Sequence, residues 1–386
     1  MSRVPAEGVH RPAWAEISRS ALAHNIAVVR EVLGPTQVCA VVKANGYGHG
    51  AVLAARAMIE GGADSLAVAI IDEGIELRDA GINEAILLLS EIPAETIRAA
   101  LEAELTLTVG SLEGARAAAS VASELGGKHK VHLKIDTGML RQGVAPREAL
   151  RAARILNDCA ALELEGIFTH FSVADGESDE DRAFTTRQIE VFNRVRLELR
   201  TNHIEPPLVH LANSAGVFGH PSSHATLARP GLVLYGYLPS AWLGDVLAHH
   251  AVTLRPALSL RAQVVATRRA EVGDRPSYGR RREVETPSTI ATVPFGYADG
   301  YPRRLFDAGA QVLINAKRYP LAGMVTMDQL LINCGDDEVH VGDDVVLLGT
   351  SGDESITAED WAAWGTTVTW EILCGIGARV PRVLVE

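Results

Sequence analysis

Lys43, Lys134, Asp136, Arg141, Thr169, His170, Asn213, Ser214 and Arg229 share a positional property. Each lies at or shortly after the end of an apolar run: QVCAVVK (37–43), VHLKI (131–135), LELEGIFTH (162–170) or LVHLA (208–212), with Arg229 a little further on. These side-chain types are ones that could do chemistry. A lysine forms imines and exchanges protons, arginines clamp carboxylates and phosphates, and histidine and serine hydrogen-bond to anions or pass protons. Taken singly, each has an ordinary explanation, since a lysine after a strand is usually solvated and a histidine there usually packs or caps. Their joint placement carries the weight, because barrel enzymes assemble their sites from the C-terminal ends of parallel strands.

The elements that must position them follow from the pattern of the chain. Between about Trp14 and Gly236, short apolar runs alternate with stretches of helical period, the signature of repeated βα units. Further strand signals are SLAVA (65–69), AILLL (85–89), LTLTV (105–109) and LVLYG (232–236), bringing the total to eight. Eight parallel strands close a (β/α)8 TIM barrel, with an open doubly wound sheet as the alternative. A first helix is expected from Ser20 to Leu33, stopped by Gly34 and Pro35. After about Trp242 long helical periods cease and β-type runs with turn signals take over, at 257–268, 288–294, 311–323, 338–349 and 378–386. The expected fold class is therefore α/β: a barrel over residues 1–243, followed by a C-terminal, mostly antiparallel β domain over 244–386.

Bulk properties narrow the partners. A formal net charge of -12 over 386 residues disfavours nucleic acid and anionic membrane surfaces and leaves small molecules as the expected ligands. Cys39, Cys159, Cys334 and Cys374 lie far apart and are taken as core thiols of a reducing compartment. The N-terminal stretch carries charges, Pro5 and Pro12 where a signal peptide needs an apolar segment, so a cytoplasmic location is expected. His220 and His224 are four apart, but Pro221 and two serines between them argue for a loop, and the adjacent His249 and His250 should diverge; metal binding is not expected.

The segment VVKANGYGHG (41–50) resembles the pyridoxal-phosphate lysine motif of the alanine racemases. HLKIDTGMLRQG (132–143), THFSVAD (169–175), HLANSAG (210–216), ARPGLVLYG (228–236), SYG (277–279), GYADGYPR (296–303), GMVTMDQ (323–329) and RVPR (379–382) are similar to that family's other motifs, in the same order. The resemblance implies a barrel plus β domain working as a homodimer, with pyridoxal 5'-phosphate as cofactor and alanine as substrate. It makes Lys43 the imine-forming lysine and one acid/base group, and Tyr278, reaching in from the partner subunit, the second. Two groups suffice because racemisation removes a proton from one face of Cα and returns it to the other. An ordinary tyrosine has a pKa of about 10, so Tyr278 needs neighbours that lower it. The resemblance offers His170 for that, itself bonded toward Arg229. It assigns the cofactor phosphate to Tyr47, Ser214 and the backbone N–H groups of Gly231 and Leu232, and the substrate carboxylate to Arg141 and the Met327 amide. Arg229 is the partner of the pyridine nitrogen. As a group that keeps its proton, it leaves the ring a weaker electron sink, which should favour racemisation over transamination. Lys134 matches a lysine that some members carry as a carbamate.

Two positions depart from the family's pattern. Trp370 in TVTWEIL (367–373) replaces a usual tyrosine that bonds the phosphate and crowds the substrate side chain, and Thr326 stands where cysteine is common. The pocket should still favour alanine, with altered rate or inhibitor response. The expected function is supply of D-alanine for peptidoglycan. Alternatives are a racemase of serine or broader specificity, a related barrel decarboxylase, disfavoured by Arg229, and a non-catalytic single-barrel pyridoxal-phosphate protein, which needs neither the β domain nor Tyr278.

Overall fold

The computed structural model describes residues 10–249 and 251–386, so His250 and the N-terminal segment containing Pro5 lie outside the described residues. Contacts group the described chain into two units. One comprises residues 10–19, 47–50 and 256–386, the other residues 20–46 and 51–255.

The strands in chain order are β1 (Ala13–Ser18), β2 (Gln37–Val41), β3 (Ser65–Val68), β4 (Ile86–Leu88), β5 (Leu107–Val109), β6 (His129–Lys134), β7 (Leu162–Phe168), β8 (Leu208–His210) and β9 (Leu227–Ala228). They continue with β10 (Leu258–Gln263), β11 (Ala266–Ala270), β12 (Ser288–Val293), β13 (Gln311–Ile314), β14 (Lys317–Pro320), β15 (Leu330–Asn333), β16 (Asp344–Ser351), β17 (Glu354–Ile356) and β18 (Arg382–Val385).

Strands β2 to β9 form the barrel unit. Two parallel sheets, β4-β3-β2-β9 and β5-β6-β7-β8, are joined by a parallel bridge from Leu87 to Thr106 and by main-chain bonds of Thr226 to Val209 and of Arg229 to Ala212. Their valine-, leucine- and alanine-rich cores are buried on both faces, as parallel strands beneath helices must be. The first helix runs Arg19–Leu33 and ends with Gly34 at φ +60, its N–H returned to the Arg30 carbonyl, a left-handed cap that glycine adopts freely. The expected eighth strand was misplaced. LVLYG is a fully buried 3₁₀ turn, Leu232–Tyr235, and the strand precedes it as β9. Pro230 has no N–H for a ladder, and a buried apolar run of four has no periodicity to separate strand from helix.

The second unit holds a seven-stranded sheet in the order β14-β13-β16-β10-β1-β18, with β17 on β16, and a three-stranded sheet β11-β12-β15. All its pairings are antiparallel except β1 with β18. Here the structure differs from the expected division at 243/244: β1 pairs with β10 and β18, placing Ala13–Ser18 with the β unit, and the barrel unit runs on to Arg255. Its AWAEIS sequence has the buried run of a central strand, which does not show which sheet it joins. Cys374 also departs from expectation, since it is exposed while Cys39 and Cys334 are buried. No helix among the described residues is long and apolar enough to cross a membrane.

Candidate active site

In the barrel unit, Lys43 follows β2 and opens an unusual segment. Ala44, Asn45, Gly46 and Tyr47 all take left-handed helical angles, φ between 50 and 58. Such backbone costs about 1–2 kcal/mol per non-glycine residue, so neighbours must hold it. Glu73 does so by accepting the Ala44 N–H, and Asn45 Oδ1 accepts the Ala51 N–H at 2.9 Å. Lys43 is thereby fixed at the strand end while the chain turns sharply away.

Lys134 ends β6 and is buried, with Nζ donating to the Leu89 carbonyl at 3.1 Å. Burial, then the charges of Arg141, Arg229 and Lys43, pull its pKa down to about 8, against a small opposing effect of Asp136. His170, after β7, is pushed well below the ordinary histidine range by burial and then by Arg229, Arg141, Lys134 and Lys43, so it is neutral. Lys43, Lys134, Arg141, Arg229 and His170 are thus brought together. Among the charges that act on Lys134 the one carboxylate is Asp136, whose Oδ1 accepts the Gly138 and Leu140 amides.

Arg229, following β9, is buried and its pKa falls to about 10 through desolvation. Nη1 donates to His210 Nδ1 at 2.7 Å and to the His210 carbonyl at 3.0 Å, while Nη2 donates to the carbonyls of Thr169 at 2.7 Å and Leu211 at 3.3 Å. Its Nε–H meets no acceptor among the described residues. The expected bond between Arg229 and His170 is corrected here: the imidazole that Arg229 grips is His210, and His170 feels it only through charge. Ser214 opens the helix Ser214–Gly219, and its Oγ accepts the Gly231 N–H at 2.9 Å, so the hydroxyl and the amide expected to hold phosphate are side by side. The adjacent Leu232 N–H donates to no described group.

In the β unit, Tyr47 is buried against the helix Thr369–Cys374, which carries Trp370. Gly48 makes this approach, for a Cβ there would lie 2.0 Å from the Leu373 carbonyl oxygen. Burial, then the neighbouring Cys374, push the Tyr47 phenol up, so it stays a donor. Tyr278 stands in a turn on Ser277, whose hydroxyl donates to the Met324 carbonyl at 2.7 Å; its side chain is 73% exposed and that of Met327 52%. The Met327 N–H donates to no described group. Thr326 donates its hydroxyl to the Gln329 carbonyl at 2.8 Å. His220 and His224 flank a turn in the barrel unit, each with Nε2 on a backbone carbonyl.

Three residues were missed from sequence. His132, His210 and Glu165 form a buried hydrogen-bonded series behind Arg229. The available signal was alternation: His132 stands two before Lys134 on β6 and so shares its face, and a glycine inside the LELEGIF strand marks a close approach.

The residues present fit pyridoxal phosphate. In the barrel unit the cations gathered at the strand ends suit anions, and the Leu232 amide and the Arg229 Nε–H suit acceptors that no described group supplies.

Comparison with known proteins agrees with this geometry. Residues 17–239 match the family model described as alanine racemase, N-terminal domain, and residues 257–384 match alanine racemase, C-terminal domain. The chain is 40% identical to an alanine racemase of Methanococcus maripaludis, over 97% of this chain and 99% of that protein. Among solved structures it resembles an alanine racemase of Clostridium difficile 630, with a TM-score of 0.91, 36% identity and coverage of 98% and 97%. A histidine racemase from Leuconostoc mesenteroides is also similar, at 30% identity and TM-score 0.89 over the full length of both chains.

Proposed function

The chain belongs to the alanine racemase family, pyridoxal-phosphate-dependent isomerases that interconvert L- and D-alanine, and from that premise we propose that Lys43 and Tyr278 are its two acid–base groups. When bound, the cofactor supplies an aldehyde that captures the amino group and a ring that withdraws the electrons left on Cα. Lys43 takes or returns the proton on one face of Cα and Tyr278 on the other. Arg141 and the Met327 N–H fix the substrate carboxylate, which orients the Cα–H bond. Tyr47, Ser214, the amides of Gly231 and Leu232 and the Trp370 indole hold the phosphate. Arg229 offers Nε–H to the ring nitrogen and keeps its proton. Neutral His170 is able to accept a hydrogen bond from the Tyr278 phenol.

The observation that carries this reading is the gathering of Lys43, Lys134, Arg141 and Arg229 at the barrel's strand ends, where their charges act together on Lys134 and His170 in a chain of net charge -12. A phosphate and a carboxylate are the anions that such a cluster suits. The dimer belongs to the same proposal. Tyr278 is 73% exposed in the single chain, as a base delivered to a second subunit must be. The division into a barrel domain and a β domain, a cytoplasmic location and a contribution of D-alanine to peptidoglycan complete it. The test follows the circular dichroism of L-alanine with purified protein and pyridoxal phosphate. The expected result is decay of the signal to zero as the racemate forms; a constant signal with cofactor bound overturns the reading and favours a non-catalytic barrel protein.

A further inference from the structure

Behind Arg229 the hydrogen bonds run in one direction only. Arg229 Nη1 lies 2.7 Å from His210 Nδ1, His210 Nε2 lies 2.8 Å from His132 Nδ1, and His132 Nε2 lies 3.1 Å from Glu165 Oε2. A guanidinium has no lone pair to offer, so His210 Nδ1 must accept and its proton must sit on Nε2. That N–H can point only at His132 Nδ1, which places the His132 proton on Nε2, facing Glu165. Both imidazoles are therefore neutral and in a single tautomer, and both direct their lone pairs toward Arg229. Their low proton affinity agrees, since burial depresses both. Glu165 ends the series as a carboxylate that also takes Lys130 Nζ at 2.6 Å.

Three features of the strands hold this series. Val131 pairs with Leu164 and His132 with Gly166, so Glu165 is the extra residue of a β-bulge, a device that re-aims a side chain. A Cβ on Gly166 would stand 2.7 Å from His132 Nδ1 and 2.8 Å from its Cδ2, so the imidazole occupies the space a side chain would need. Phe168 stacks on the His210 ring at 4.7 Å with 9° between planes, and the Arg229 guanidinium sits 4.9 Å from the centre of the Phe168 ring. The far end of the series reaches a cavity of about 250 Å³ lined by His132, Glu165, Cys39 and Asp64 together with the first residues of β2, β3, β8 and β9. That is the N-terminal face of the barrel, remote from the strand ends that carry Lys43 and Arg229.

We propose that Glu165, His132 and His210 are positioning residues for racemisation: the carboxylate accepts the Nε2–H of His132 and so holds in place the two imidazoles that anchor Nη1 of Arg229, which presents its Nε–H as a proton-retaining donor. The inference rests on Arg229 being the partner of the ring nitrogen. It also extends control of the reaction's outcome to His132 and Glu165, which line the cavity at the opposite face of the barrel.

The first test is long-range 1H–15N correlation of the imidazoles in full-length protein, without and with cofactor, assigned by single histidine variants. Both rings should be neutral Nε2–H tautomers across neutral and mildly alkaline pH; an Nδ1–H tautomer, or titration of either ring there, overturns the proposal. The second compares Glu165→Gln, which keeps an acceptor for His132, with Glu165→Leu and Gly166→Ala, which do not keep the His132 contact. Glu165→Gln should preserve the tautomers and the ratio of transamination to racemisation. Glu165→Leu and Gly166→Ala remove or displace the anchor of the His132 Nε2–H, so they should shift the 15N signals of both imidazoles and raise that ratio about tenfold, with KM for alanine little changed. Folded Glu165→Leu and Gly166→Ala proteins with the wild-type ratio would sink it. Arg229→Glu separates the premises: an unchanged ratio in that variant removes the role of Arg229 itself, whereas the tautomers of the wild-type protein stand or fall independently.

Discussion

Lys134 Nζ lies 5.4 Å from the centre of the Phe168 ring, the ring that also carries the Arg229 guanidinium at 4.9 Å. Two cations thus share one aromatic side chain inside the barrel, with Lys43 and Arg141 adding to the repulsion. In the folded protein Lys134 has a pKa of about 8, and in the unfolded chain it returns to 10.5. Between those values the unfolded state binds more protons, so stability rises with pH over that window and the penalty is largest below about pH 8. The wild-type Tm minus that of Lys134→Met, measured without cofactor in CO2-free buffer, should become more positive from pH 8 to pH 10.5. A difference that does not move with pH would mean the lysine is solvated. The same neutral amine fraction can add to CO2, releasing a proton and leaving an anion beside Arg141, so bicarbonate should raise the wild-type Tm and leave Lys134→Met unaffected.

Gly48 is expected to be intolerant of any side chain. Its φ of +80 already disfavours alanine, and the added Cβ would meet the Leu373 carbonyl oxygen, a backbone atom that cannot swing aside. Gly48→Ala should cost about 2–3 kcal/mol, typical of backbone strain combined with a steric clash. Because Tyr47 is the preceding residue, pyridoxal-phosphate affinity should fall about tenfold by fluorescence titration. Full affinity in a destabilised variant would separate Tyr47 from the phosphate.

Most of this architecture was legible in the sequence, and what was not has identifiable causes. Barrel strands such as QVCAV and VHLKI are continuous apolar runs and declare themselves, whereas β9 is two residues long and followed by a proline, so the more conspicuous LVLYG attracted the assignment. β1 has an ordinary strand sequence, but its partners, β10 and β18, lie more than two hundred residues away, a distance that local patterning does not span. The charged residues at strand ends could be named because their types are unusual beside apolar runs. The Glu165–His132–His210 series could not, since it depends on a bulge at Glu165 and on the ring space left by Gly166. The choice of His210 over His170 as the partner of Arg229 turns on side-chain direction, which spacing alone leaves open.

Trp370 sits on a helix of six residues beside Cys374, where the family pattern has tyrosine. The indole is bulkier than a phenol and can donate but not accept. If it narrows the pocket, Trp370→Tyr should raise kcat/KM for serine relative to alanine by about tenfold, the scale on which a pocket discriminates one small group. Steady-state kinetics on both amino acids read the ratio. Identical ratios in the two proteins would show that position 370 does not line the side-chain pocket.

The two-base assignment is best tested by mixing inactive chains. Lys43→Ala and Tyr278→Phe should each lose racemase activity by about 10²–10⁴, the usual worth of a positioned acid or base. The exposed Tyr278 belongs to one chain and Lys43, in the scheme proposed above, to the other. When the two variants are unfolded together and refolded, hybrid dimers should contain one site with both residues intact and one with neither. Activity should therefore return on mixing, although neither parent has it, and should fall again on dilution as subunits part. Recovery requires that Lys43 and Tyr278 of a working site come from different chains. If activity stays at the level of the parents while hybrid dimers form, each chain must supply its own pair, and the exposure of Tyr278 would then have to be relieved by a movement within one subunit.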